Sequence, residues 1–101
     1  MRPQRPQKGL MDNATPEDTL LEFPCDFPIK IMGHATDEFR SLAIGIIVKH
    51  FGDLPAERIA ERPSSRGRYI SVTCTVRAES KAQLDAAYME LTSCRQVLVA
   101  L

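Results

Sequence analysis

Ten consecutive residues near the middle of the chain, Tyr69 to Ala78, alternate between apolar and polar without a break. Ile70, Val72, Cys74, Val76 and Ala78 fall on one parity, and Tyr69, Ser71, Thr73, Thr75 and Arg77 on the other. Successive side chains of an extended strand point to opposite faces, so this run buries one face and leaves the other open. Whatever else the chain forms must therefore supply one covering layer for a sheet.

The remaining segments supply it. Phe27, Ile29 and Ile31 alternate with Pro28, Lys30 and Met32 as a first strand, with Pro24 and Pro28 limiting regular structure to either side. Gly33 and His34 then turn the chain into a helix, with Thr36 as N-cap and Asp37 and Glu38 in the first turn. Phe39, Leu42, Ala43, Ile46 and His50 recur at helical spacing as its core face, and Gly52 ends it. Ile44, Val48 and Phe51 widen the apolar arc, which calls for cover from the Leu20–Phe23 segment or from a second subunit. Glu57 to Pro63 forms a charged edge strand. Ser80 and Gln83 make a capping box for a second helix carrying Leu84, Ala87, Tyr88 and Leu91, and residues 96–101 form the last strand. Residues 1–19 hold three prolines and few large apolar side chains, so they read as a disordered arm, leaving 20–101 as one domain.

The order strand, helix, strand, strand, helix, strand, joined by right-handed crossovers, defines the α+β ferredoxin-like fold (βαββαβ). It is a two-layer sandwich with both helices on one face of a four-stranded antiparallel sheet and strands one and three in the centre.

Charge and composition narrow the function. Thirteen basic and thirteen acidic residues cancel, which argues against global attraction to nucleic acid or to an anionic membrane. No apolar run reaches the roughly 20 residues that span a bilayer, and no apolar stretch follows Arg2 and Arg5 as a secretory signal would require. Cys25, Cys74 and Cys94 are odd in number and far apart, which reads as reduced thiols in a cytoplasmic protein.

Arg66-Gly67 before a strand superficially matches the strand with which small sheet domains read RNA. That strand needs aromatic residues on the open face, but Arg68, Tyr69 and Ile70 stand where an aromatic, a small residue and Phe should be, leaving Tyr69 as the one ring for stacking, so no nucleic-acid partner is expected. Ser64-Ser65-Arg66-Gly67 reads first as a hairpin connection in which Gly67 takes a positive φ. It also reads as an anion site, with backbone N–H groups and Arg62, Arg66 and Arg68 facing a phosphate or carboxylate, because Gly33, His34, Ser64, Ser65, Arg66, Gly67, Arg68 and Arg95 fall at one end of this topology. Asp37 and Glu38 at the same end oppose that reading by repulsion. His34 and His50 are too far apart along the helix to share a metal, and Cys74 points inward, where a thiol is inert. No nucleophile, base and orienting group come together, so the chain reads as non-enzymatic, without metal or cofactor.

The motifs "LLEFPCDFPIKIMG", "PSSRGRYISVTCTV" and "YMELTSCRQVLVAL" resemble the YbeD family of small bacterial proteins of unknown function, over residues 20–101. The resemblance implies a ferredoxin-like fold similar to ACT-type regulatory domains, which bind small metabolites near a glycine after strand one, the place of Gly33. Lys30, Ile31 and Met32 stand where such domains often carry acidic and proline residues. The resemblance also hints at a link to lipoate metabolism. Together these readings lead to a regulatory or ligand-sensing module whose partner is a small metabolite or another protein, with a homodimer as one arrangement. The alternative is a protein–protein interaction module without a small-molecule ligand.

Overall fold

The computed structural model describes residues 21–101; the arm expected over 1–19 lies outside the described residues. The elements are β1 (Cys25–His34), α1 (Asp37–Phe51), a short 3-10 turn (Ala56–Arg58), β2 (Ile59–Pro63), β3 (Tyr69–Ala78), α2 (Lys81–Ser93) and β4 (Val99–Ala100). The sheet order is β2-β3-β1-β4, and each neighbouring pair is antiparallel. This is the ferredoxin-like sandwich, with β1 and β3 central.

The alternation in β3 divides the molecule into its two layers. Val72, Cys74, Val76 and Ala78 are fully buried and Ile70 nearly so. They form one cluster with Ile29 and Ile31 of β1, with Phe39, Ala43, Ile46 and Ile47 of α1, and with Leu84 and Leu91 of α2. A buried aliphatic side chain of this size contributes roughly 1.5–3 kcal/mol relative to exposure, so this single layer carries most of the stability. The open face shows the opposite parity: Tyr69 and Arg77 are exposed and Thr73 and Thr75 half-buried.

The helix ends follow the sequence closely. Thr36 accepts a hydrogen bond from the Phe39 N–H at 3.0 Å, and Gly52 closes α1 at φ 87°. Ser80 accepts from the Gln83 N–H at 3.1 Å, while the Gln83 side chain accepts from the Glu79 N–H at 2.7 Å. The Gln83 amide also donates to the His50 carbonyl at 2.9 Å, tying the start of α2 to the end of α1.

Four boundaries differ from the sequence reading, each for a local reason. β1 extends beyond the expected Phe27–Met32 at both ends, from Cys25 to His34, so Gly33 and His34 are strand rather than turn. Lys30 exchanges both backbone hydrogen bonds with Leu101, at 3.0 and 2.8 Å, so even-numbered residues of β1 face β4. Pro28 lies beyond the last β4 pair, and its missing N–H breaks no ladder. β2 begins only at Ile59, because the Arg58 N–H donates back to the Pro55 carbonyl in the 3-10 turn. β4 is shorter than 96–101, since Cys94 to Val97 are used in a turn closed by the Val97 N–H to Cys94 carbonyl bond. On α1 the buried stripe is Phe39, Ala43, Ile46 and Ile47, while Leu42 is half-buried. His50 is a boundary residue, 2.8 Å from Glu90 across the helix pair. Of the proposed covers for the wider apolar arc, Leu21 and Phe23 pack against the core cluster, as do Ile44 and Phe51. Among the described residues, no helix is long and apolar enough to cross a membrane.

Candidate functional site

The hairpin between β2 and β3 is built by its own backbone. The Ser64 N–H donates to the Tyr69 carbonyl at 2.9 Å, and the Gly67 N–H donates to the Ser64 carbonyl at 2.9 Å. The Tyr69 N–H reaches the Ser64 hydroxyl at 3.2 Å. Gly67 sits at φ 71°, the left-handed region that the turn reading requires. The Ala35 N–H donates to the Arg68 carbonyl at 3.1 Å, which fastens the hairpin to the end of β1. His34 lies opposite Tyr69 in the register, with ring centroids 5.1 Å apart. A second ring therefore stands beside Tyr69, because β1 extends further than the sequence pattern indicated.

The expected residues thus meet at one end of the sheet, with Gly33 in a separate role. A Cβ built on Gly33 would collide with the Phe39 ring and lie 2.7 Å from the Gln96 carbonyl. The space beside this glycine is filled by protein, and its small size serves close packing between β1, α1 and the turn before β4. His34, Glu38 and Gln96 line a depression of about 260 Å3, and it is Gln96 rather than Arg95 that reaches it. Asp37 does not stand free to repel an anion, because Arg40 binds it while also binding Glu61 at 3.0 Å.

Two further depressions adjoin on the other side of Tyr69. One, of about 210 Å3, is lined by Ser64, Ser65, Arg66, Arg68 and Tyr69. The other, of about 230 Å3, lies on the open sheet face, where Lys30, Arg62 and Ser71 line it. Ser64 and Tyr69 belong to both, and among the described residues no carboxylate lines either. Among the described residues Arg40, Lys49, Arg58, Arg77 and Lys81 each pair with an acid. Lys30, Arg62, Arg66 and Arg68 have no such pair, so this end of the open face is locally positive although the whole chain is neutral. Sequence reasoning missed Lys30 and Ser71 as neighbours of Arg62. The signal was their common parity, which becomes spatial only through the pairings Arg62↔Ser71, Met32↔Ser71 and Lys30↔Thr73.

The other chemistry-bearing groups are engaged elsewhere. His50 and Lys49 hold the Glu90 carboxylate, and the His50 hydrogen bond, with Lys49, keeps its pKa below the usual carboxylate value. Arg58 and Arg77 do the same for Asp26. Burial pushes the Cys74 thiol up to about 11, so it is protonated and unreactive near neutrality. His34 and His50 stand at opposite ends of α1, about 20 Å apart by helix rise, and keep separate partners. Among the described residues no group of three or more His, Cys, Asp or Glu could hold a metal ion.

Fold and site together define a small ferredoxin-like α+β domain with a positive ledge at one end of its open sheet face. The chain belongs to the family described as "Protein of unknown function (DUF493)", matched over residues 18–101, as its resemblance to the YbeD proteins implied. It is similar to the UPF0250 protein of Janthinobacterium sp. (strain Marseille), with 47% identity over 82% of this chain and 91% of the relative. The UPF0250 protein of Paraburkholderia phytofirmans is 45% identical over 83% of this chain and 94% of the relative. That of Neisseria meningitidis serogroup C is 42% identical, over 82% and 91%. No function is established for the family.

Proposed function

We propose that this chain is a non-enzymatic regulatory or ligand-sensing module, comparable in use to ACT domains, whose ligand is a small anionic metabolite. The observation that carries the reading is the hairpin depression, where Arg66 and Arg68 have no acidic partner among the described residues and line a cup with Ser64, Ser65 and Tyr69. Guanidinium groups with free donors bind carboxylate or phosphate through charge-assisted hydrogen bonds. The site residues of this reading are His34, Ser64, Ser65, Arg66, Gly67 and Arg68, with Gly33 supporting them through packing. A thermal-shift screen of anionic metabolites tests it, because a ligand of the folded state raises the melting temperature by linkage. A hit that Arg66→Gln with Arg68→Gln removes supports the proposal; hits unaffected by that double change place the ligand elsewhere and defeat it.

A second reading, an interaction module, has its own observation. Leu98, Val99 and Leu101 are exposed along β4, next to the open sheet face. A partner protein that raises the melting temperature where no metabolite does would favour it.

A further inference from the structure

We infer that the ligand is a small dianion that bridges two cationic subsites, one on the hairpin and one on the open sheet face. The inference rests on the ligand-sensing reading above and adds Lys30, Arg62 and Ser71 to the site.

The two depressions are separate cups that join at Ser64 and Tyr69. Each holds one pair of uncompensated cations: Arg66 and Arg68 in the hairpin cup, Lys30 and Arg62 in the sheet cup. The register fixes how the sheet cup is arranged. Arg62 pairs with Ser71, and Ser71 with Met32, so these three cross the open face in one row, with Lys30 one row further along. Lys30 and Arg62 thus sit two strands and one row apart, roughly 12 Å of backbone separation, and both of their long side chains line the sheet cup.

Ser71 marks the floor of the sheet cup. It lies on the open-face parity, yet it is only 7% exposed, the one buried polar residue among those described. Its hydroxyl donates to the Arg62 carbonyl at 3.4 Å, near the outer limit of a hydrogen bond. The cup therefore combines two cations with a hydroxyl held by a backbone carbonyl, and Met32 and Tyr69 add apolar lining.

A monoanion satisfies one pair and leaves the other unneutralised. A molecule with an anionic group at each end engages both, and its second contact gains from the first as an intramolecular event. Two carboxylates, or two phosphoryl groups, on a short apolar or flexible body meet this requirement. Whether the anionic ends are carboxylates or phosphates is a matter the probes separate.

The test is an amide chemical-shift titration of the full chain at low ionic strength, where screening is weak. The probes are glutarate against butyrate, and pyrophosphate against inorganic phosphate, each pair setting two anionic groups against one. We expect at least one two-group probe to bind about tenfold or more tightly than its single-group counterpart, with shifts at both Ser71 and Gly67. Lys30→Gln with Arg62→Gln should bring the two-group probe down to its counterpart's affinity, and Arg66→Gln with Arg68→Gln should do the same from the other end. All four side chains lie outside the core, and an unchanged dispersed spectrum verifies folding. If the hairpin double variant abolishes binding while the sheet double variant changes nothing, the bridging inference fails and the hairpin proposal survives. If only the sheet variant matters, both fail. Equal affinity for two-group and single-group probes, or no binding of either pair, also overturns the inference. So does salt-dependent binding of oligouridylate without binding of the small dianions, which would assign the ledge to single-stranded RNA.

Discussion

The two faces of the sheet are made from the same ten residues of β3, yet they obey different rules. On the helix side every position from Ile70 to Ala78 is closed by α1, α2 or β1, and size and polarity are both dictated. On the open side the same strand carries Tyr69, Ser71, Thr73 and Thr75, beside four cations that have no acidic partner among the described residues. Stability thus resides on one parity and the proposed recognition on the other, so substitutions one residue apart should separate them.

The largest contrast should come from Val72→Asp against Thr73→Asp. Val72 is fully buried, and an unpaired carboxylate there costs several kcal/mol, comparable with the whole stability of such a domain. The first variant should be unfolded by circular dichroism and the second folded. Equal damage from both would mean that the open face is covered by another subunit.

Gly33→Ala ranks next and tests whether the covered face extends to the end of β1. The added methyl must displace the Phe39 ring or the Gln96 carbonyl, an overpacking that costs about 1–3 kcal/mol. Denaturant unfolding should show this loss, with partial recovery when Phe39 is also shortened to Leu. An unchanged midpoint would return Gly33 to the list of ligand-lining residues.

Within the hairpin the contrast is between turn and charge. Gly67→Val places a β-branched residue at φ 71° and should cost roughly 1–3 kcal/mol, although nothing crowds the site. Arg66→Ala should shift stability by less than about 0.5 kcal/mol, as exposed substitutions do. Loss of a ligand without loss of stability in the second variant would sharpen the division between the two faces.

The smallest effect concerns the helix pair. Glu90 is held below its ordinary pKa by the His50 hydrogen bond and by Lys49. A carboxylate with a depressed folded-state pKa stabilises the protein above its unfolded pKa and loses that contribution as pH falls through the folded one. Glu90→Gln should therefore lower the melting temperature slightly at neutral pH, and the difference should close on acidification below the usual value of 4.5. A constant difference at all pH values would mean that Glu90 acts through packing rather than charge.

Much of this architecture was legible because local signals are redundant. The ten-residue alternation, the Thr36 and Ser80 caps and the positive-φ Gly52 and Gly67 each identify themselves within a few residues. Half of the site was legible in the same way, since Ser64 to Arg68 is continuous in sequence and its turn chemistry is local. Lys30 and Ser71 were not, because they join Arg62 only through strand register, and one residue of slip would send each to the core. Ile47 was missed because the α1 stripe follows the sheet beneath it rather than the widest apolar arc.

What the sequence determined by itself is the parity of β3, the helix ends, the hairpin turn and hence the βαββαβ order, all set by nearest-neighbour chemistry. What only the tertiary structure decided is where distant segments touch. Pro28 is tolerated in β1 because β4 stops short of it, Gly33 is small because Phe39 lies against it, and His34 finds Tyr69 because the β1–β3 pairing persists to the last residue of β1. These are contacts between residues far apart in the chain, and their geometry depends on the packing of both layers at once, which no local pattern encodes.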